Sequence, residues 1–187
     1  YNKWGGYRFM SFRNEKLEEF ETYIKFRKVA IIGLGVSNLP LLDWMYEKNA
    51  KVTVFDEREE NVISKDIIEK LENYHFKTYF GKNCLENLKD FAIIFRSPSC
   101  LPTKQELEEE RKRGAIVTTE IEMLMKMCPC KIIGVTGSDG KTTTTSLIHA
   151  ILQKARLSYF FRWKYWNTII YATFRNDTRR HGCARVK

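Results

Sequence analysis

The sequence predicts an α/β fold built on a parallel sheet, and three observations support this. Short apolar runs typical of strands alternate with amphipathic segments typical of helices along most of the chain. The spacing leaves room for a helix between successive strands, which favours parallel pairing with right-handed crossovers. Two glycine-rich turns each follow a predicted strand and precede a predicted helix.

The helices are predicted from apolar residues that recur every three or four positions. In order, they occupy residues 14–26, 37–49, 64–74, 103–113 and 120–127. In the first helix Leu17, Phe20 and Ile24 recur among charged residues. In the second, Trp44 and Met45 are among the apolar residues available to face a sheet.

The strands are predicted from short apolar runs bounded by turn residues. In order, they occupy residues 28–32, 51–55, 76–80, 91–95, 115–117 and 131–135. Ser97-Pro98 ends the fourth run, and Gly114 precedes the fifth. No internal repeat or low-complexity linker interrupts the alternation, and the length of 187 residues suggests one domain plus part of another.

The net charge of +9 is concentrated at the ends of the chain. The sequence has 32 Lys and Arg against 23 Asp and Glu, yet residues 10–155 are balanced. The tail 156–187 contains one acid, Asp177, among eight basic residues: Arg156, Arg162, Lys164, Arg175, Arg179, Arg180, Arg185 and Lys187. A neutral body with 43% hydrophobic residues is typical of a globular domain and not of a disordered chain.

Composition also excludes several classes of protein. No apolar run approaches the roughly 18 residues of a membrane helix, and no secretion signal opens the chain. The odd, scattered cysteines are typical of reduced thiols, so we predict a cytoplasmic protein without a membrane partner: Cys84, Cys100, Cys128, Cys130 and Cys183. Cys128-Pro129-Cys130 lacks the spacing of a redox or zinc pair.

The first glycine-rich turn, residues 33–38, follows the first strand. Its glycines, Gly33 and Gly35, permit a tight turn into a helix whose free N–H groups attract an anion. A dinucleotide fingerprint requires a small residue at position 38, where this chain has Asn38. The fingerprint also requires an acidic residue at the end of the second strand, and Asp56 occupies that position. The pattern is equally consistent with a glycine turn required only for packing.

The second turn carries a stronger pattern, Gly137-Ser138-Asp139-Gly140-Lys141-Thr142-Thr143. Glycines let successive N–H groups cradle phosphate oxygens, while Lys141 supplies a positive charge and the Thr142 hydroxyl a ligand for Mg²⁺. The strict GxxxxGK spacing fails because Val135 occupies the first glycine position. Nucleotide binding is still favoured over a simple basic turn.

Together with Gly33-Leu34-Gly35, Ser97-Pro98 and Thr119-Glu120-Ile121-Glu122, the second turn resembles the Mur ligases. The resemblance covers roughly residues 15–155 and is to the branch that adds D-glutamate to UDP-N-acetylmuramoyl-L-alanine. It implies an ATP-dependent ligase of peptidoglycan synthesis, hence of cell-wall biogenesis, cell shape and cell division. The implied reaction passes through an acyl phosphate of the L-alanyl carboxylate.

The resemblance also implies the site residues. The ATP loop comprises Gly137, Ser138, Asp139, Gly140, Lys141, Thr142 and Thr143, with Lys141 catalytic and Thr142 holding Mg²⁺. The UDP-sugar site comprises Gly35, Val36, Ser37, Asp56, Glu57, Arg58, Ser97, Pro98 and Ser99. Position 99 is usually glycine in the family. We expect a monomer that binds ATP, Mg²⁺, UDP-N-acetylmuramoyl-L-alanine and D-glutamate.

The implied domains are unequal. Residues 1–27 form a leader and amphipathic helix, and residues 28–115 a Rossmann-like UDP-sugar domain. Residues 116–155 begin a P-loop ATP domain, and residues 156–187 are a basic tail. Because the family's C-terminal domain is absent from this sequence, we expect an inactive N-terminal fragment.

Residues 1–9 are predicted to precede a natural start at Met10, because Trp4-Gly5-Gly6 can be encoded with a ribosome-binding GGAGG.

The tail departs from the family and shows neither helical nor strand periodicity. Read one base later, residues 162–170 can encode Gly-Gly-Asn-Ile-Gly, the segment that the resemblance leads us to expect. We therefore predict a one-base frame error near Ala155; the alternative is a natural basic tail. Taken as written, its eight aromatic and eight basic residues favour single-stranded nucleic acid, which defines the alternative function of a nucleotide-dependent nucleic-acid-binding module. The frame prediction makes a nucleic-acid partner the less favoured hypothesis.

Overall fold

A five-stranded parallel sheet organises the larger of two units in the computed structural model. The structure describes residues 14–35, 37–128, 131–155, 158–162 and 168–173. The chain divides into one unit of Lys16–Lys126 and another of Tyr1–Glu15 with Met127–Lys187. Among the described residues, no helix is long and apolar enough to cross a membrane.

The helices and strands alternate in close agreement with the sequence prediction. The helices are α1 (Glu15–Ile24), α2 (Leu39–Glu47), α3 (Lys65–Asn73), α4 (Gln105–Lys112), α5 (Glu120–Met127) and α6 (Lys141–Lys154). The strands are β1 (Lys28–Ile32), β2 (Lys51–Asp56), β3 (Lys77–Phe80), β4 (Ile93–Arg96), β5 (Ile116–Thr118), β6 (Lys131–Val135), β7 (Ser158–Arg162) and β8 (Thr168–Thr173). Two short 3₁₀ turns that the sequence did not predict are Glu60–Val62 and Cys84–Asn87.

The larger unit confirms the prediction of an α/β fold with a parallel sheet. Its strand order is β3-β2-β1-β4-β5, and every neighbouring pair is parallel. From β1 the chain adds β2 and β3 on one side of the sheet, and it then crosses to the other side to add β4 and β5. This Rossmann-like order places the reversal of direction between β1 and β4.

Both faces of this sheet are covered, which explains why its strands are almost continuously apolar. On one face Ala30, Ile32 and Phe55 belong to a buried cluster that includes Leu107 of α4. On the other face Phe95 makes an edge contact with Phe20 of α1, whose ring stacks on Trp44 of α2. The amphipathic helix predicted before β1 therefore packs on the sheet.

Helices α2, α3 and α4 each end in the same hydrogen-bonded motif before the next strand. Asn49, His75 and Gly114 adopt left-handed φ angles of 54°, 54° and 94°. In each case the N–H of this residue and the N–H of the residue after it donate to helix carbonyls, for example His75 to Glu72 at 2.9 Å and Phe76 to Leu71 at 3.1 Å. These are Schellman motifs, which satisfy carbonyls that the helix leaves open.

The smaller unit pairs its strands differently from the parallel arrangement that the sequence predicts. Its sheet has the order β6-β8-β7, and both pairs are antiparallel. Only residues 163–167 separate β7 from β8, and so short a connection permits only antiparallel pairing. The expectation that the tail lacks strands is therefore wrong: its runs Ser158–Arg162 and Thr168–Thr173 are rich in the aromatic and β-branched residues that favour strands.

Replacing His75 by glycine should stabilise the protein. A non-glycine residue in the left-handed region costs about 1–2 kcal/mol, of which glycine's greater freedom in the unfolded chain offsets roughly half. We expect His75→Gly to raise the free energy of unfolding by up to about 1 kcal/mol in urea titrations. His75→Ala keeps the strain and should bring no gain; an equal gain in both variants would contradict the explanation.

Candidate functional site

Three predicted site segments lie at the same edge of the five-stranded sheet. Residues 33–38 follow β1, residues 56–58 follow or end β2, and residues 97–99 follow β4. Since β2, β1 and β4 are neighbouring parallel strands, their carboxyl ends bring these segments together. Ligands of open α/β sheets bind at this kind of edge, where the strand order reverses.

Gly33 is required by both its backbone angle and its neighbour. Its φ is 86°, and its N–H donates to the Phe55 carbonyl of β2 at 2.7 Å. A Cβ at this position would lie 2.7 Å from Ser97 Oγ and 2.9 Å from Ser97 Cβ. The Ser97 N–H in turn donates to the Ile32 carbonyl at 2.8 Å. The turns after β1 and β4 therefore touch without an intervening side chain.

Asn38 explains why the turn lacks the third small residue of a dinucleotide fingerprint. Its side chain is completely buried, and Nδ2 donates to the carbonyls of Ile32 at 3.0 Å and Gly33 at 2.9 Å. The amide thus joins the end of β1 to the start of α2. Within the described residues, Oδ1 is a buried acceptor without a hydrogen-bond partner.

The carboxylate of Asp56 connects the turns after β1 and β2. Only 4% of Asp56 is exposed, and its Oδ2 accepts the Leu34 N–H at 2.7 Å. The Arg58 side chain donates to both carboxylate oxygens, at 2.9 Å from Nε and 2.8 Å from Nη2. The Arg58 N–H adds a further bond at 3.0 Å, and Nη2 also reaches the Leu34 carbonyl at 3.3 Å.

These contacts set the protonation state of Asp56. Burial alone would raise the pKa of its carboxyl, but the hydrogen bonds from Arg58 and Leu34 outweigh burial and lower this pKa. The same pair raises the pKa of Arg58. Asp56 is therefore ionised at neutral pH, and its oxygens already accept several protein donors. The assignment of Asp56 to the UDP-sugar site stays a prediction; in this structure its carboxylate anchors Arg58 and the Leu34 amide.

The remaining predicted residues of this edge form its rim. Ser97 Oγ and Ser99 Oγ lie 2.9 Å apart, and Pro98 and Ser99 are exposed. Glu57 forms an ion pair with Lys104, a residue that precedes α4 and that the sequence did not single out. A pair between the end of β2 and the start of α4 depends on the sheet order, so no local pattern reveals it. Ser37 lies in the turn, while Val36 falls outside the described residues.

The family-like segment Thr119-Glu120-Ile121-Glu122 has a structural explanation at the start of α5. The Thr119 N–H donates to Glu122 Oε2 at 2.8 Å, and the Glu122 N–H donates to Thr119 Oγ1 at 3.2 Å. This reciprocal pair is a capping box. Burial would raise the pKa of Glu122, but these hydrogen bonds lower it.

In the smaller unit, the second glycine-rich turn joins β6 directly to α6. Gly137 and Gly140 have φ angles of 145° and 73°, and α6 begins at Lys141. Lys141 Nζ folds back over the turn and donates to the carbonyls of Gly137 and, at 2.7 Å, Ser138. Thr142 and Thr143 are exposed in the first helical turn. The strand, loop and helix predicted around Lys141 are thus present locally.

For two predicted features, the metal ligands and the tail, the range of described residues limits what the structure shows. No group of three or more His, Cys, Asp or Glu side chains suited to a metal occurs within the ranges given above. The proposed nucleic-acid surface of the tail falls mainly on residues outside those ranges, as do the predicted start at Met10 and the basic residues beyond residue 173.

Two domain descriptions of one family match the sequence. Residues 27–119 match "Mur ligase MurD-like, N-terminal domain", and residues 135–180 match "Mur ligase middle domain". The chain belongs to the Mur ligase family. The second match continues beyond Ala155, past the point of the predicted frame error, and that error stays a prediction.

Curated relatives agree with this assignment. The chain is 43% identical over 141 residues to the UDP-N-acetylmuramoylalanine–D-glutamate ligase of Clostridium tetani, covering 75% of this chain and 30% of the relative. It is 39% identical over 136 residues to the enzyme of the same name from Clostridium acetobutylicum, covering 73% and 29%. The chain therefore spans about 30% of the length of these Mur ligases.

Solved structures are similar only at a coarse level. Shikimate dehydrogenase from Aquifex aeolicus superimposes with a TM-score of 0.40 at 12% identity, covering 59% of this chain and 50% of that one. A dipicolinate synthase chain from Bacillus halodurans gives 0.43 at 18% identity, covering 76% and 52%.

Substituting Gly33 should destabilise the protein far more than substituting its neighbour Gly35. Gly33→Ala forces a Cβ into Ser97 and into a left-handed angle, a strain of about 1–3 kcal/mol. A Cβ at Gly35 meets nothing within 4 Å, which makes Gly35→Ala the matched control. Urea unfolding compares the two variants, and equal losses would show that the contact with Ser97 is unimportant.

The Asp56 carboxylate should make stability depend on pH. Its folded pKa lies below the unfolded value of about 3.9, so its contribution is present above that pH and is lost as pH falls through the folded pKa. We expect Asp56→Asn to cost about 1–3 kcal/mol at pH 7, with the difference shrinking below about pH 4. Asp66→Asn, on exposed α3, is the control; a pH-independent effect of Asp56→Asn would refute the ion pair.

Proposed function

We propose that this chain contributes the nucleotide-sugar and ATP-binding parts of a peptidoglycan precursor ligase. The ligase would join D-glutamate to UDP-N-acetylmuramoyl-L-alanine, the reaction named for the curated relatives. The observation that carries the proposal is the convergence of residues 33–38, 56–58 and 97–99 at one sheet edge. We place the protein in the cytoplasm, as its scattered thiols predict, and expect a monomer.

The sheet edge suits the UDP group of a nucleotide sugar. The turn of Gly35 and Ser37 opens α2, whose first N–H groups and positive dipole end favour a phosphate. Arg58 is held in place by Asp56, while 47% of its side chain stays exposed and available to a ligand. The Ser97 and Ser99 hydroxyls and the Glu57 carboxylate supply donors and acceptors around the same turn. Val36 completes the predicted set.

The turn around Lys141 suits the phosphates of ATP. Gly137 and Gly140 have positive φ angles, and glycines with such angles can let the N–H groups of a loop such as this one, with Ser138 and Asp139, line an anion-binding concavity. Lys141 Nζ already spans this loop and donates to the main-chain oxygens of Gly137 and Ser138. Bound phosphates would replace those carbonyls as its partners, and the exposed Thr142 hydroxyl would face Mg²⁺. The residues present therefore fit ATP and Mg²⁺.

In the proposed reaction, bound ATP supplies the phosphoryl group that activates the L-alanyl carboxylate as an acyl phosphate. The amine of D-glutamate then attacks that carbonyl carbon, and phosphate leaves. Lys141 would stabilise negative charge on the transferred group, and the loop amides would hold its position. Asp56, through Arg58, would orient the nucleotide end of the substrate. In the complete enzyme, ADP release should require both substrates together.

Two substitutions should separate the two proposed sites. Lys141→Met removes a charge-assisted contact worth about 1.5–3 kcal/mol, and so should weaken ATP binding by about ten- to 150-fold. It should leave UDP binding unchanged. Arg58→Ala should weaken binding of the UDP group and leave ATP binding unchanged. Isothermal titration with ATP–Mg²⁺ and with UDP-N-acetylmuramoyl-L-alanine measures both.

Each variant is the other's control for folding. Unchanged ATP affinity in Lys141→Met would refute the ATP loop, and unchanged nucleotide-sugar affinity in Arg58→Ala would refute the role of Arg58. Loss of both ligands in one variant would indicate misfolding, which circular dichroism detects. Sequencing the coding DNA near codon 155 tests the predicted frame error independently.

A further inference from the structure

A groove of about 580 Å³ lies at the amino-terminal edge of the five-stranded sheet, the edge opposite to the proposed UDP site. Lys28, Lys51 and Lys77 stand at the first positions of β1, β2 and β3 and line it. Lys89 and Tyr46 also line it, from the segment before β4 and the end of α2. We refer to this feature as the lysine groove.

The lysine groove concentrates positive charge without compensation. Lys28 and Lys51 are direct partners in the parallel ladder of β1 and β2, about 4.8 Å apart between strands. The described residues that line the groove include no carboxylate, and none of its four lysines forms an ion pair within the described part of the chain. Adjacent like charges are unfavourable, so this arrangement favours an anionic ligand.

Aromatic side chains form one wall of the same groove. Tyr46 and Tyr74 stack with ring centroids 4.1 Å apart, and Phe76 meets both rings edge-on. Tyr46 keeps 47% of its surface exposed, although it is a large aromatic residue. Its stack can therefore be extended by a planar ring from outside. Lys77 Nζ lies 5.0 Å from the Tyr79 ring centroid, so charge and ring occur together.

A favourable interaction with the carboxyl-terminal ends of nearby helices does not account for the cluster of lysines. Helices α2 and α3 end at this edge, and cations are favourable near carboxyl-terminal helix ends. Two of the open carbonyls of each helix, however, are already bonded by the N–H groups of Asn49 and Ala50 for α2 and of His75 and Phe76 for α3. The nearby Asp43 is also engaged, since its Oδ1 accepts hydrogen bonds from Lys70 and Tyr74, each at 2.8 Å.

We propose that the lysine groove is a second binding site, for a small phosphorylated ligand that carries a planar ring. The phosphate contacts Lys28, Lys51 and Lys77, and the ring stacks on Tyr46. A mononucleotide has this chemistry. The site lies at the other end of the strands from the proposed UDP site and shares no residue with it or with the ATP loop.

Isothermal titration of the full chain at low salt tests the proposal with three probes: adenosine 5′-monophosphate, pyrophosphate and adenosine. We expect the monophosphate to bind more tightly than either of the others. The double variant Lys51→Ala/Lys77→Ala should weaken its binding at least tenfold. Lys16→Ala/Lys65→Ala removes two exposed lysines elsewhere and should leave binding unchanged. Tyr46→Leu should reduce the affinity for the monophosphate to that for pyrophosphate.

Several results would overturn the proposal. These are no binding of the monophosphate, or equal weakening by the two lysine double variants. Equal affinity for pyrophosphate and the monophosphate in the unmodified protein would overturn the assignment of a ring. Circular dichroism and thermal unfolding of each variant separate lost binding from lost folding. The test is independent of UDP binding, so it can fail while the proposed function stands.

Discussion

The ionised carboxylate of Asp56 is the interaction on which the candidate site depends. It lies at the end of β2, yet it accepts the N–H of Leu34 in the turn after β1 and positions the guanidinium of Arg58. A buried carboxylate is costly unless several donors surround it, and here the donors come from both turns. The same contacts that keep Asp56 charged therefore fix the relative position of the two strand ends.

The approach of the turns after β1 and β4 adds a second constraint. Because Gly33 has no side chain, the Ser97 side chain can lie against its backbone, and the Ser97 N–H closes a bond to β1. Asn38 secures the same turn from the side of α2. The three segments thus present the exposed groups of Arg58 and Ser99 on a hydrogen-bonded base.

The two glycine-rich turns are held in place by different kinds of contact. The turn at Gly33 is held by contacts with β2 and β4, which are distant in sequence. The turn at Gly137 and Gly140 is held locally, because Lys141 bonds to carbonyls three and four residues before it. A lysine whose partners are main-chain carbonyls of its own loop can exchange them for phosphate oxygens without rearranging the fold. The first turn is therefore the more rigid and the second the more adaptable.

The sequence by itself determined the helices and strands of the larger unit, the two glycine turns and the family. Periodicity, glycine positions and motif spacing are local properties, and β1 and β6 occupy the predicted residues unchanged. The tertiary structure alone decided that Asp56 is an anchor, that Lys104 pairs with Glu57, and that four lysines line one groove. Those relations join residues on different strands, and strand order is set by packing of both sheet faces, which no local pattern specifies. For the same reason the antiparallel pairing of β6 with β8 was not predictable, since it depends on which strand lies beside β6. The antiparallel pairing of β7 with β8, by contrast, follows from their short connection.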